Sequence, residues 1–134
     1  AERLTFLQED NQEERHPNEE LDTLLRISES DQRWLSEVEL VAHENLSNSQ
    51  FTKLDWAEKM LISERQLRRK VKALTGKSPT LYIRSIRLKA ANQLILSTDL
   101  TMAEIAYQVG FSSTSYFSKT YFEEFKIRPS EVRP

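Results

Sequence analysis

The fold is decided by one stretch of sequence, which reads Thr101-Met102-Ala103-Glu104-Ile105-Ala106-Tyr107-Gln108-Val109-Gly110-Phe111. Thr101 and Glu104 have the spacing of a capping box, so a helix is predicted to begin directly after Thr101. Ala106 is small and lets a neighbouring helix approach closely. Gly110, four residues later, permits a tight turn. Together with the helical pattern that follows, the stretch predicts a helix-turn-helix unit over about residues 101–125.

An earlier segment, over about residues 51–75, has the same layout. Ala57 takes the place of the alanine, and Leu61 takes the place of the glycine, so this turn must form without glycine. Ser63 and Gln66 form another capping box at the start of the second helix of the unit. Two such units about 50 residues apart are much stronger evidence than either unit alone.

A single long helix is predicted to join the two units. Ser78 followed by Pro79 supplies an N-cap and a proline at the first helical position, and the pattern runs over about residues 79–97. Apolar residues surround most of this helix, so we expect it to be largely buried or sandwiched between two bodies. It would be about 27 Å long, and successive major grooves on one face of a duplex lie about 34 Å apart. A helix of that length could hold two reading helices in adjacent grooves.

The remaining sequence completes an all-α prediction. A helix is expected from Asp31 to about Asn45, Pro129-Ser130 opens a last short turn, and no alternating strand pattern is present. Residues 1–30 are acidic and barely apolar, so we interpret them as a linker that is flexible or partly helical. Residues 31–134 are predicted to form about seven helices, with two helix-turn-helix subdomains joined by a long central helix.

Composition and charge exclude several functional classes. The 134 residues contain no cysteine, which excludes a disulfide framework or a thiolate metal site, and no apolar run approaches the roughly 18 residues that a membrane span needs. The net charge of −2 hides an asymmetry, because residues 1–60 carry −9 and residues 61–134 carry +7. This asymmetry indicates a surface for a polyanion in the second half, although an uneven scatter of solvated charges would give the same numbers.

The positive charge is concentrated on one helix, predicted from Glu64 to about Leu74. At 100° per residue its cations share an arc of about 100°, and apolar residues take the opposite side. The cations are Arg65, Arg68, Arg69 and Lys72, and the apolar residues are Leu67, Val71 and Leu74. The planar arginine fork suits guanine O6 and N7 in the major groove. A solvated basic face is the other interpretation, and the helix-turn-helix context favours DNA.

The corresponding helix of the second unit is close to neutral. Its aromatic residues recur every four positions, which predicts a core contact; they are Phe117, Tyr121 and Phe125. Another face offers Thr114, Ser115 and Lys119, which could read bases or hold phosphates. These side chains discriminate between bases less well than a bidentate arginine, so they are the weaker set.

Several longer runs carry a resemblance to a known family. In the first unit and the connecting helix they are Ser63-Glu64-Arg65-Gln66-Leu67-Arg68-Arg69-Lys70, Thr75-Gly76-Lys77-Ser78-Pro79, Tyr82-Ile83 and Arg87-Leu88. In the second unit they are Ile105-Ala106-Tyr107-Gln108-Val109-Gly110-Phe111, Ser115-Tyr116-Phe117-Ser118-Lys119 and Pro129-Ser130. Over about residues 31–134 the chain resembles the DNA-binding domain of the AraC/XylS family of bacterial transcription regulators.

The resemblance implies a seven-helix domain that binds promoters sequence-specifically, usually to activate transcription. It implies base-reading positions early in the second helix of each unit. These fall on Arg65, Arg68, Arg69 and, secondarily, Gln66 in the first unit, and on Thr114, Ser115 and Lys119 in the second. Phosphate contacts are expected from Ser63, Lys72, Arg84 and Ser113.

The chain departs from the family pattern near the end of the second unit. Phe122 and Glu123 stand where the family usually has lysines, and Lys126 stands where it has glycine. The second unit is therefore expected to bind the DNA backbone weakly, and its last long helix must end without glycine.

The resemblance also implies partners. Family members usually carry a ligand-binding or dimerisation domain or follow a receiver domain, and residues 69–76 resemble the variety at the C-terminus of hybrid two-component sensors. The expected partners are double-stranded DNA, RNA polymerase and an upstream sensor or receiver domain of the same chain, with a homodimer through missing regions as an option. We expect no membrane contact by this segment and a location in the bacterial cytoplasm.

Two other functional classes fit the sequence less well than DNA binding. A helical protein-interaction module could bind an acidic partner through residues 64–74, but it has no need of two equivalent units a groove apart. An enzyme is disfavoured because His16 and His43 have no metal-ligand or triad companions nearby, and no phosphate-cradling glycine loop is present. The sequence predicts no catalytic residue, no cofactor and no metal.

Overall fold

The computed structural model describes residues 28–133, and within that range it contains seven α-helices and no strand. They are α1 (Glu29–Glu44), α2 (Lys53–Lys59), α3 (Glu64–Thr75), α4 (Pro79–Ser97), α5 (Met102–Gln108), α6 (Thr114–Phe125) and α7 (Pro129–Val132). The all-α prediction with two helix-turn-helix subdomains and a long central helix is confirmed. Residues 1–27 of the predicted linker lie outside the described residues.

Helix α1 begins at Glu29, two residues before the predicted start at Asp31. The Ser28 hydroxyl accepts a hydrogen bond from the Asp31 amide at 3.1 Å, so Ser28 is the residue that caps the helix. Only the last three residues of the predicted linker are therefore described, and two of them already belong to α1.

Capping boxes begin three of the four helices in the two units, namely α2, α3 and α5. The predicted boxes at Ser63 and Thr101 are confirmed, each with the side chain and backbone of the third helical residue bonded back to the cap. A third box at Thr52 and Asp55 was missed, although its Thr-x-x-Asp spacing was readable. Side chains thus satisfy the exposed amide groups at each of these helix starts, and this fixes where the helices begin.

The central helix α4 begins with Ser78 as N-cap and Pro79 at its first turn, as predicted. It packs against α3 near one end of the domain and against α5, α6 and α7 farther along. It is sandwiched as expected, but Leu81 and Leu96 are 45% and 61% exposed, so it is not buried all round. The helix is therefore a shared support for both units.

Each unit has its own packing centre. In the first unit, Trp56 is 1% exposed, stacks on Tyr82 and donates from its indole N–H to the Val38 carbonyl at 3.0 Å. In the second unit, the predicted aromatic stripe lies in the core, because Phe117 and Tyr121 are fully buried and Phe125 packs against them. None of the helices within residues 28–133 is long and apolar enough to cross a membrane.

Four turn residues have positive φ angles, and two of them are not glycine. These are Leu61 (φ 61°) and Lys126 (φ 63°), beside Gly76 (φ 78°) and Gly110 (φ 96°). Both expectations of a turn without glycine are therefore confirmed. A side chain in this left-handed region is strained, because its Cβ crowds the following carbonyl.

We expect Lys126→Gly to stabilise the domain by about 0.5–1 kcal/mol. Lys126 is exposed and ends α6 in the left-handed conformation, so glycine removes strain without removing a buried contact. Denaturant unfolding followed by circular dichroism measures the change. Lys126→Ala is the matched control, because it removes the same side chain but keeps the strain; equal stabilities of the two variants would contradict the interpretation.

Candidate nucleic-acid interface

Helix α3 presents one apolar face and one cationic face. Leu67 and Val71 are completely buried and hold the helix against the core of the first unit. The side chains on the other face are exposed, and they are Arg65, Arg68, Arg69 and Lys72. Burial of the apolar face therefore points the arginines away from the protein, as the sequence pattern predicted.

The three arginines differ in what holds them. Nη1 of Arg68 donates to both carboxylate oxygens of Glu64, at 2.9 and 3.1 Å. Glu64 also lies 3.5 Å from the ammonium of Lys53. By contrast, Arg65 and Arg69 have no hydrogen bond or ion pair with any residue in the described part of the chain. Their guanidinium groups are available to an anionic or base partner.

Glu64 is a functional candidate that the sequence interpretation missed. Its contact with Arg68 is an i, i+4 pair, a spacing that the sequence displays. Because only Nη1 of Arg68 is used, the Nε and Nη2 edge of that guanidinium can still donate two parallel hydrogen bonds. Glu64 therefore orients Arg68 without occupying the edge that would read a guanine.

Polar side chains near both ends of α3 already make hydrogen bonds within the protein. The side-chain carbonyl of Gln66 accepts from the Ser63 amide at 2.9 Å, so that end of Gln66 is committed to the capping box and only its amide NH₂ remains to contact a base. The Ser63 hydroxyl accepts a hydrogen bond from the backbone amide of Gln66 at 3.1 Å and keeps its own proton for donation. The ammonium of Lys72 donates to the Gly76 carbonyl at 2.9 Å, which places it at the end of α3.

Helix α6 presents a smaller polar surface. Thr114, Ser115 and Lys119 are all exposed, and Ser113 caps the helix by accepting from the Tyr116 amide at 3.1 Å. Phe122 is 48% exposed farther along the same helix. The first two turns of α6 thus carry hydroxyl groups and one lysine, and they lack the arginine face of α3.

Arg84 lies on α4, in a cleft of about 260 Å³ that is also lined by the α1–α2 loop, the α5–α6 turn and the start of α6. Four hydroxyl residues that the sequence did not mark as site residues line the same cleft: Ser49, Thr80, Ser112 and Tyr116. No acidic side chain lines it, and half-buried Arg84 makes no hydrogen bond or ion pair with another described residue. This cleft is suited to an anion.

Metal binding and acid–base catalysis have little support among the described residues. Residues 28–133 contain no group of three or more His, Asp or Glu side chains that could hold a metal ion. The perturbed titratable groups belong to structural contacts. Burial raises the pKa of Tyr82, and its hydrogen bond to Glu39 acts in the same direction. Burial also raises the pKa of Tyr121 and lowers that of Arg87.

Comparison with known proteins identifies the domain. A family model described as "Helix-turn-helix domain" matches residues 56–134. Among curated relatives, "Histidine kinase P4" of Formosa agariphila is 36% identical over 109 residues, which are 81% of this chain and 8% of that protein. "HTH-type transcriptional activator RhaS" of Mannheimia succiniciproducens is 36% identical over 91 residues, covering 66% of this chain and 34% of the relative. The chain thus spans only about a third of one relative and less than a tenth of the other.

Solved structures agree in fold and sequence. A Chromobacterium violaceum transcriptional regulator, described as AraC-type DNA-binding domain-containing, has a TM-score of 0.72 and 33% identity over 79% of this chain and 94% of that chain. The DNA-binding domain of AdpA, solved with a target DNA, has a TM-score of 0.68 and 27% identity over 74% of this chain and 88% of that chain. Both solved structures are DNA-binding domains of transcription regulators. The chain belongs to the AraC-type family of helix-turn-helix DNA-binding domains.

Proposed function

We propose that this domain binds double-stranded DNA sequence-specifically at promoters, with α3 in one major groove and α6 in the adjacent one. The observation that carries the proposal is the arginine face of α3, which points away from the core beside a helix-turn-helix turn. Two of its guanidinium groups, those of Arg65 and Arg69, have no partner among residues 28–133. Helix α4 has 19 residues and is about 28 Å long, a length compatible with two reading helices in neighbouring grooves.

The two reading helices have different tasks in this proposal. Arg65 and Arg69, together with the Arg68 that Glu64 orients, read guanines by bidentate hydrogen bonds. Thr114, Ser115 and Lys119 on α6 supply weaker base contacts. Ser63 and Ser113 donate their hydroxyl protons to phosphates at the two helix starts, and Lys72 adds a cation at the end of α3.

The names of the relatives support a wider role. RhaS is named a transcriptional activator, and the histidine kinase match covers only a small part of a much longer protein. We propose that this domain activates transcription with RNA polymerase in the bacterial cytoplasm, under an upstream sensor or receiver region. Dimerisation, where it occurs, would involve regions beyond this domain.

Selection from a random duplex library at two salt concentrations tests the proposal. We expect one enriched sequence class whose affinity falls steeply with salt, with a log–log slope of about −0.9 for each phosphate neutralised. Loss of all duplex binding at moderate salt would contradict the proposal. It would instead favour the alternative in which the basic face binds an acidic protein.

Arg84→Gln tests the backbone contact from the cleft. Removing one phosphate contact should weaken binding to all duplexes about equally and reduce the salt slope by about 1. Fluorescence anisotropy on the selected duplex and on an unrelated duplex measures both effects. Arg84→Lys is the matched control, since it keeps the charge and should retain most of the slope. A loss confined to the selected duplex would show that Arg84 reads a base.

A further inference from the structure

The buried arginine of the central helix connects the two helix-turn-helix units. Arg87 is 6% exposed. Its Nη1 donates to the carbonyls of Leu46 and Val109, the latter at 2.8 Å, and its Nη2 donates to the Asn48 carbonyl at 3.2 Å. One rigid, planar group therefore holds three backbone acceptors from two separate loops.

The first of these loops leads directly into the first unit and packs against it. Leu46 and Asn48 lie between α1 and α2, and Phe51 at the end of that loop packs its ring 6.3 Å from Trp56. The Trp56 indole in turn bonds to the Val38 carbonyl of α1. The loop is thus fixed to the body that carries α3.

The second loop is the turn of the second unit. Val109 is the C-cap of α5, and Gly110 continues the chain toward α6. A Cβ atom at Gly110 would lie 1.3 Å from Nη1 of Arg87 and 2.1 Å from the Leu46 oxygen. The glycine therefore leaves the space through which the guanidinium reaches both loops. Leu46 also packs its side chain against the buried core of the second unit.

We infer that Arg87 fixes the separation of α3 and α6 and so determines the spacing between the two half-sites that the domain accepts. The inference rests on the proposed DNA binding and adds a positioning residue that acts through the two loops it holds. A preorganised pair of reading helices loses less entropy on binding, and it is penalised when the half-sites are displaced. Inserting one base pair moves the second half-site by about 3.4 Å and rotates it by about a tenth of a turn.

The test compares half-site spacing in the parent and in Arg87→Met, which keeps most of the side-chain length and removes all three hydrogen bonds. Anisotropy titrations use the selected duplex and versions with one base pair added to or removed from its centre. We expect the parent to lose about 10-fold or more in affinity for a one-pair change, and Arg87→Met to lose about threefold or less. A uniform loss of affinity with unchanged spacing discrimination would overturn the inference.

A second measurement keeps the test decisive where Arg87→Met is poorly folded. The chain has no cysteine, so Ala73→Cys on α3 and Glu123→Cys on α6, both exposed positions, accept one spin label each. Pulsed electron paramagnetic resonance measures the distance between the two labels. The distribution of distances should be narrow with Arg87 and broad with Arg87→Lys, which keeps the charge but loses the planar fork. Equal widths would overturn the inference while leaving DNA binding intact. Failure of the parent to select any duplex would instead overturn the proposed function itself.

Discussion

Gly110→Ala is expected to destabilise the domain by about 3–5 kcal/mol, a large fraction of the roughly 5–15 kcal/mol by which a single domain is stable. The added methyl group meets Nη1 of Arg87 at 1.3 Å and the Leu46 carbonyl oxygen at 2.1 Å. The guanidinium can swing away, but it then abandons its three carbonyl partners in the interior. The Leu46 oxygen belongs to the backbone and cannot move without shifting the α1–α2 loop.

Backbone conformation adds to the cost. Gly110 has φ 96°, where an alanine is strained by about 1–3 kcal/mol whatever the space around it. Gly76→Ala is the matched control, because Gly76 also has a positive φ (78°) but a Cβ there meets nothing within 4 Å. We expect Gly76→Ala to cost only about 1 kcal/mol.

Chemical denaturation of the two glycine variants measures the difference. We expect the free energy of unfolding of the Gly110 variant to be lower than that of the Gly76 variant by about 2 kcal/mol or more. Similar losses of stability in both variants would mean that backbone strain alone accounts for the cost of replacing these glycines. The close approach of Arg87 would then have no energetic consequence.

The double replacement of Arg65 and Arg69 by alanine is expected to abolish sequence-specific binding. Each bidentate contact to guanine contributes about 1–3 kcal/mol of discrimination, so the pair accounts for about a 30-fold to 10⁴-fold loss on the selected duplex. Affinity for unrelated duplexes should fall much less, because phosphate contacts from other residues remain. Both side chains are exposed and unpartnered within residues 28–133, so the fold should be unaffected.

Lys59→Ala together with Lys89→Ala is the control for loss of charge. Both lysines are exposed and lie on α2 and α4, outside the two reading helices. This variant loses the same two charges and should keep its preference for the selected duplex. Equal effects of the two double variants would contradict the assignment of the arginines as base-reading residues.

The sequence predicted the elements of this fold well because their determinants are local. The capping boxes at Ser63 and Thr101, the glycine that ends α3 and the Ser78-Pro79 start of α4 all act within one helical turn. The periodic apolar residues then assign each face of α3 and α6 to the core or to the surface. The arginine face of α3 follows directly from that assignment.

Long-range partners were not predictable in the same way. The sequence gives no sign that Arg87 would find carbonyls 41, 39 and 22 residues away, because backbone acceptors carry no residue-specific pattern. The cleft around Arg84 likewise combines Ser49, Thr80 and Ser112 from three separate segments. The i, i+4 pair of Glu64 and Arg68 is different, since its spacing was visible and only its consequence for arginine orientation needed the structure.

Hydroxyl-radical footprinting on the selected duplex tests the central claim, that α3 and α6 occupy two adjacent major grooves on one face of DNA. We expect two protected segments of the duplex whose centres lie about 10 base pairs apart. The Arg65 and Arg69 double variant should lose the protection contributed by α3 more than that contributed by α6. A single protected segment, or two segments separated by other than about one helical turn, would contradict the account.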